Sequence, residues 1–367
     1  MGQNARGFQW LVRGIVGLSL LSACGASQEG EETPLGMDGQ AMGDVAVELS
    51  VASQSLSAHE DAMIRVTFTN VTSQPVRLLR WYVPGTEGVK AELFEVSRDG
   101  EPVDYLGPHV KRMAPRAEDF VTLAPGEHLS GLAPLSDLYD LSATGEYTVR
   151  FSAHATGPHT GVLTLAARLD SNPLSLWIEG RAAHEPERQT QDTVTAQGLS
   201  FTGCSSTRQT QIRAAWTAAK SYASNAASYL NGISSGTARY TTWFGAYSTS
   251  NRNTARSHFT KINNALNTAA LTVDCTCTDA GTYAYVYPTS PYRIYVCGAF
   301  WSASTTGTDS QAGTLVHEMS HFNVVASTND HAYGQGNAKS LARSNPSRAL
   351  NNADNHEYFA ENTPSQN

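Results

Sequence analysis

Gly313-Thr314-Leu315-Val316-His317-Glu318-Met319-Ser320-His321 is the stretch from which the rest of the chain is best read. His317 and His321 are four residues apart, so an α-helix sends both imidazoles from one face, one turn apart. That spacing lets two ring nitrogens bind one Zn²⁺, with Glu318 beside the open coordination position as a general base. Leu315, Val316, Met319 and Phe322 make much of the same helix apolar. The helix is therefore expected to be buried, and buried polar groups need partners. A metal ion would be that partner.

The 367 residues suit two domains rather than one. A hydrophobic content of 40% allows real cores, while a net charge of -8 leaves no basic footprint for nucleic acid. The five cysteines are Cys24, Cys204, Cys275, Cys277 and Cys297, an odd count that asks for a separate role for one of them. The N-terminus supplies it. Arg6 and Arg13 precede the apolar run Gly14 to Leu21, too short to span a bilayer and read as a signal peptide over residues 1–23. Leu21-Ser22-Ala23-Cys24 resembles the bacterial lipobox, in which the cysteine is lipidated and becomes the mature N-terminus. A lipid on Cys24 would anchor an exported bacterial precursor to a membrane without spanning it. Residues 24–43, rich in Gly, Glu, Gln and Met, read as a flexible tether.

From Asp44 the hydrophobic period becomes two: Val45, Val47, Leu49 and Val51 alternate, as do Ile64, Val66 and Phe68, and Tyr147, Val149 and Phe151. Turn signals at Pro84-Gly85, Asp99-Gly100 and Pro125-Gly126 separate such runs, which predicts an all-β sandwich over residues 44–180. His109, His128, His154 and His159 are scattered there, and each reads as a surface or packing residue. This half is expected to be a scaffold, a binding module or a prodomain. Residues 181–199 are polar and read as a linker and processing segment.

After Cys204 the period changes again. Ile212, Ala215, Trp216, Ala219, Tyr222, Ala223 and Ala226 predict a long amphipathic helix, and a second runs near Asn253 to Leu266. A β-hairpin follows, Tyr283 to Tyr287 and Tyr292 to Val296. The expectation for residues 200–367 is an α+β, zincin-like domain, mostly helical with a small hairpin. Cys275 and Cys277 are too close to pair with each other without strain, so each reaches for Cys204 or Cys297, and either pairing is open. In an exported chain disulfides are a better reading of these cysteines than a second zinc site.

The third ligand decides the class of zinc enzyme. Val324 and Ser327 stand where a metzincin needs glycine and histidine. Glu357 or Glu361 would serve a zincin that draws a glutamate from a later helix, and His331 and His356 are minor candidates. Nearer is Asp330, nine residues past His321, followed by Tyr333. Here the chain resembles the aspzincins, the deuterolysin group of metallopeptidases. His317-Glu318-x-x-His321 is followed by Thr328-x-Asp330-x-x-Tyr333-Gly334, with Ser327 where the group usually has glycine. Within the group the chain looks most similar to the peptidyl-Lys metalloendopeptidases. That likeness runs through Cys204, Tyr240 to Phe244, Asp274 to Cys277, Cys297 to Trp301, Thr306 to Glu318 and Asn352 to Phe359. The N-terminal half does not carry it.

The resemblance implies one Zn²⁺ per chain on His317, His321 and Asp330, with Glu318 as base and Tyr333 as stabiliser of the tetrahedral intermediate. It also implies disulfides Cys204–Cys275 and Cys277–Cys297. Asp354 and Glu357 share a face if Arg348 to Phe359 is helical. Paired acids repel unless a cation lies between them, which suits a basic guest. The resemblance makes them the residues that read lysine just after the scissile bond, and a compact ammonium suits such a pocket better than arginine's fork. The reading is a monomeric, lysine-directed zinc endopeptidase made as a precursor, acting on proteins and peptides and released extracellularly after cleavage near 200. Two rivals stand beside it. One is a zinc endopeptidase of broader specificity with Glu357 on the metal. The other is a non-enzymatic, surface-anchored β-sandwich binding protein.

Overall fold

Alternation in the first half of the chain becomes two layers, antiparallel but for one parallel edge pairing. The computed structural model describes residues 44–85, 92–113, 116–154, 168–181 and 198–366. The expected signal peptide, lipidated Cys24, tether and all but the ends of the linker lie outside them. One layer orders β1 (Val45–Ser50), β3 (Met63–Asn70) and β9 (His128–Pro134). The other orders β2 (Ser55–Leu56), β12 (Leu174–Ile178), β10 (Gly145–His154), β5 (Phe94–Arg98) and β6 (Glu101–Pro102), with β11 (Arg168–Asp170) pairing with β10. A separate ribbon joins β4 (Val76–Leu79) to β8 (Phe120–Leu123), and a short helix α1 (Leu135–Leu138) follows β9. Ile64, Val66 and Phe68 of β3 and Tyr147, Val149 and Phe151 of β10 are wholly buried in one shared core. Phe68 meets Phe151 edge to face across the two layers, ring centroids 5.3 Å apart.

The second half has its own core. Helix α2 (Ser206–Gly232) starts at Ser205, whose side chain accepts from the Arg208 amide. It buries Ile212, Ala215, Ala219, Ala223, Ala226 and Leu230. This alanine ridge lets α4 (Thr249–Thr268) and α6 (Gln311–His321) pack closely on it. Around them lie α3 (Ala238–Phe244), α5 (Gly298–Ser302), α7 (Gly334–Ser344), α8 (Pro346–Leu350) and α9 (Ala353–Glu361). Every residue of α6 is buried, as its apolar pattern predicts. Gly313 of α6 is required by close approach: a Cβ there would collide with the Glu361 carboxylate of α9.

Two expectations need correction. The hairpin of the second half does not stand alone. β15 (Thr282–Val286) and β16 (Arg293–Val296) belong to a mixed sheet with β13 (Leu199–Thr202) and β14 (Leu271–Asp274). β13 and β14 are four residues each, too short to show alternation; β13 is half-buried throughout, and β14 buries Leu271, Val273 and Asp274. Nor is Arg348 to Phe359 one helix. It breaks between α8 and α9 at Asn351 and Asn352, while Asp354 and Glu357 both remain on α9. The fifth strand of the mixed sheet comes from the other half of the chain. β7 (His109–Arg112) leaves the N-terminal layers and pairs antiparallel with β15, setting Val110 opposite Tyr285 and Lys111 opposite Ala284. The disulfides are Cys204–Cys275 and Cys277–Cys297.

Candidate active site

Helix α6 carries His317, Glu318 and His321, all fully buried. Ser310 caps its start, its hydroxyl accepting from the Gly313 amide at 2.9 Å. After His321 the chain turns back through Ser327, which holds a left-handed φ of 49°. Glycine takes that conformation without steric cost, which explains its usual presence at this place in the resembling family. The turn brings Thr328 against the helix end, where the Thr328 carbonyl lies 2.7 Å from His321 Nδ1. That contact places the ring proton on Nδ1, which donates to the carbonyl, and leaves the Nε2 lone pair free.

Two residues further on, Asp330 Oδ1 lies 3.2 Å from His317 Nε2 and 3.4 Å from His321 Nε2. Neighbouring corners of a tetrahedron about an ion with bonds of ~2.0–2.1 Å stand roughly 3.3 Å apart. Both Nε2 atoms, Asp330 Oδ1 and the two oxygens of Glu318 are buried without a hydrogen-bond partner among the described residues. Two imidazoles, one carboxylate and a nearby unpartnered glutamate thus fit a catalytic Zn²⁺ site, in donor type and in spacing. Burial pushes the Glu318 carboxyl up to about 8. Burial alone would raise Asp330 as well, but His321 and His317 hold it well below the usual carboxylate range.

His317 Nδ1, on the far side of the ring, is 2.9 Å from Asp354 Oδ1 and 3.2 Å from Glu357 Oε2. The two acids predicted to read lysine therefore also orient a candidate ligand. Glu357 stands on the Nδ1 side, away from the His317–His321–Asp330 trio, which argues against its service as a zinc ligand. His356 faces His258 at 3.0 Å, and His331 Nδ1 meets Arg348 at 3.1 Å. Glu361 accepts from the Ser310 amide at 2.9 Å and its hydroxyl at 2.8 Å. These three are occupied elsewhere.

A residue to which the sequence reading gave no role of its own organises the Asp330 loop. Asn352 is fully buried, and its Oδ1 accepts from the amides of His331 at 2.7 Å and Ala332 at 3.0 Å. Its Nδ2 donates to the Ala332 carbonyl at 3.0 Å and to Asn355 Oδ1 at 2.7 Å. The paired asparagines at 351–352 were the available signal. Asn352→Ala should cost about 10–100-fold in zinc affinity, by analogy with lost outer-shell partners of metal ligands. Competition with a calibrated chelator measures it, and unchanged affinity would remove Asn352 from this role.

The pocket beyond His317 holds a lysine of the chain itself. Lys111 Nζ is 2.6 Å from Glu357 Oε2 and 3.6 Å from both Asp354 Oδ1 and Asp309 Oδ1. It also lies 5.1 Å from the ring centre of Tyr283 and 5.8 Å from that of Tyr358. Burial alone would pull the ammonium down, but Glu357, Asp354 and Asp309 hold its pKa well above the ordinary lysine value. Asp309, Tyr283 and Tyr358 are pocket residues that the sequence reading missed. They lie on a loop, a strand and a helix, and spacing within each gave no sign that they converge. Of the two roles expected for His109, surface or packing, the structure shows packing. It packs on the candidate metal site, its ring stacked on His321 at 4.7 Å.

The family of lysine-specific metallo-endopeptidases, the aspzincins, matches residues 229–361. An extracellular protease of Aeromonas hydrophila is 45% identical over 84% of this chain and 90% of its own length. The chain belongs to the aspzincin family. A peptidyl-Lys metalloendopeptidase of Pleurotus ostreatus is 58% identical over 165 residues, which are 45% of this aspzincin and 97% of that protein. A solved zinc peptidase from Grifola frondosa is 55% identical over 45% of this chain and all of its own, with a TM-score of 0.44. This aspzincin is a zinc metalloendopeptidase of the peptidyl-Lys type.

Proposed function

We propose that this peptidase cuts proteins on the N-terminal side of lysine, with one Zn²⁺ per chain held by His317, His321 and Asp330. The observation that carries the lysine reading is the seating of Lys111 between Glu357, Asp354 and Asp309. A bound Zn²⁺ supplies Lewis acidity and lowers the pKa of a water to near neutrality. Glu318 takes the proton of the attacking water and passes it to the leaving amine. The Tyr333 hydroxyl donates to the oxygen on which negative charge develops. Asp354 and Glu357 receive the substrate ammonium and also steady His317, so specificity and ligand orientation share the same carboxylates.

The N-terminal β-rich region, residues 44–180, is proposed to be a prodomain removed by cleavage within 181–199. Export with a lipid on Cys24 would hold the precursor at a membrane until that cleavage releases the enzyme. The name of the Aeromonas relative, an extracellular protease, supports export. Among the described residues no helix is long and apolar enough to cross a membrane.

The test is a digest of a denatured protein of known sequence by residues 199–367, with and without a zinc chelator, read by mass spectrometry. Chelator-sensitive cuts confined to bonds preceding lysine are expected; cuts spread over other residues would discard the pocket and keep the metal site. Glu357→Gln should then lower the kcat/KM ratio of a lysine peptide over its alanine counterpart by roughly 30-fold, corresponding to about 2 kcal/mol for one partner of a buried charge pair. The ratio is the useful readout because loss of metal would depress both peptides alike. A ratio left unchanged would place lysine selection elsewhere.

A further inference from the structure

β7 runs through the candidate active site in the register of a substrate. Lys111 fills the lysine pocket, and its side chain is only 2% exposed. The residue before it meets the candidate catalytic groups: the Val110 carbonyl accepts from the Tyr333 hydroxyl at 3.1 Å, and the Val110 amide donates to Asp330 Oδ2 at 3.2 Å. The Val110–Lys111 peptide bond thus stands where a bond preceding lysine would be cut. Main-chain pairing with β15 holds the strand along the cleft, from His109 opposite Val286 to Lys111 opposite Ala284. His109 covers the face of His321, and a His109 nitrogen, a His321 nitrogen and an Asp330 oxygen lie within 4.8 Å of one another.

We propose that His109–Arg112 is a built-in substrate mimic that keeps the peptidase latent by occupying its own lysine pocket and cleft. The proposal rests on the lysine-pocket reading above. The pocket admits one ammonium, and the tethered strand competes at an effective concentration in the millimolar range, so a free peptide meets a filled cleft. Cutting the chain between 181 and 198 turns the occupant from a tethered group into a separate one, which dilution can remove. Latency would then need no groups beyond those that bind substrate.

Calorimetric binding to the full, zinc-loaded chain tests this. The chain carries Glu318→Gln, so that the probe is not consumed, and the probe is a short blocked peptide with one central lysine. Adding Lys111→Ala should tighten binding at least about 100-fold, the gain from removing a tethered competitor. Lys111→Gln is the second variant, because its amide can still donate to Glu357 and Asp354 where the alanine protein does not fold. Binding as tight with Lys111 in place as without it would overturn the proposal. If the opened variants bind the lysine peptide no better than its alanine counterpart, the lysine-pocket reading fails instead, a distinct result.

Discussion

Glu318→Gln should retain the metal of the unaltered protein and lose nearly all turnover. Glu318 is fully buried on α6, and neither carboxylate oxygen has a hydrogen-bond partner among the described residues. No structural contact is therefore forfeited when the carboxylate becomes an amide of the same shape. Neither His317 nor His321 uses Glu318 for orientation: His321 leans on the Thr328 carbonyl, and His317 on Asp354 and Glu357. What is lost is a group that can take a proton from water and return it to the leaving amine. Positioned proton transfer contributes roughly 10²–10⁴-fold, and kcat should fall by that amount. Turnover on a lysine peptide and zinc content by atomic absorption, both on residues 199–367, decide the matter. A rate within about tenfold of the unaltered protein, below the range for such a group, would remove Glu318 from this role.

The parts of the site that a short sequence window contains were legible. The candidate zinc-binding helix shows its two histidines, its glutamate and its apolar flank within nine residues, and the loop to Asp330 follows directly. The ridge of α2 is visible because Ile212, Ala215, Ala219, Ala223 and Ala226 repeat at helical spacing. The disulfide pairing was open on the residues alone and followed only from the family resemblance.

What was not legible depends on partners far along the chain. β7 is four residues long, and nothing within His109-Val110-Lys111-Arg112 says that it abandons its own half to edge the sheet of the other. Nothing in the local sequence singles out Lys111, which three carboxylates from α9 and the loop before α6 surround. Asp309 lies in that polar loop and reaches the pocket with a left-handed φ of 51°. The break at Asn351–Asn352 was missed because the Asn352 side chain serves the Asp330 loop, an interaction that local helix propensity does not record.

Tyr333→Phe separates chemistry from binding. The Tyr333 hydroxyl donates to the Val110 carbonyl, which in the proposed substrate register would stand for the carbonyl under attack. Burial holds its pKa well above the ordinary tyrosine value, so it keeps its proton and remains a donor. A donor aimed at that oxygen matters most when negative charge develops on it, and removing one such donor costs about 10²–10³-fold in kcat. KM should stay near its original value, because in the proposed mode the lysine side chain would bind through Glu357, Asp354 and Asp309 and the main chain through β15. Phenylalanine keeps the ring, so the melting temperature and zinc content of residues 199–367 should stay close to those of the unaltered protein. A rise in KM with kcat unchanged would make Tyr333 a substrate-binding residue rather than a stabiliser of the developing oxyanion. Unchanged kinetics would leave it a packing aromatic, and the stabilisation would then fall to the metal.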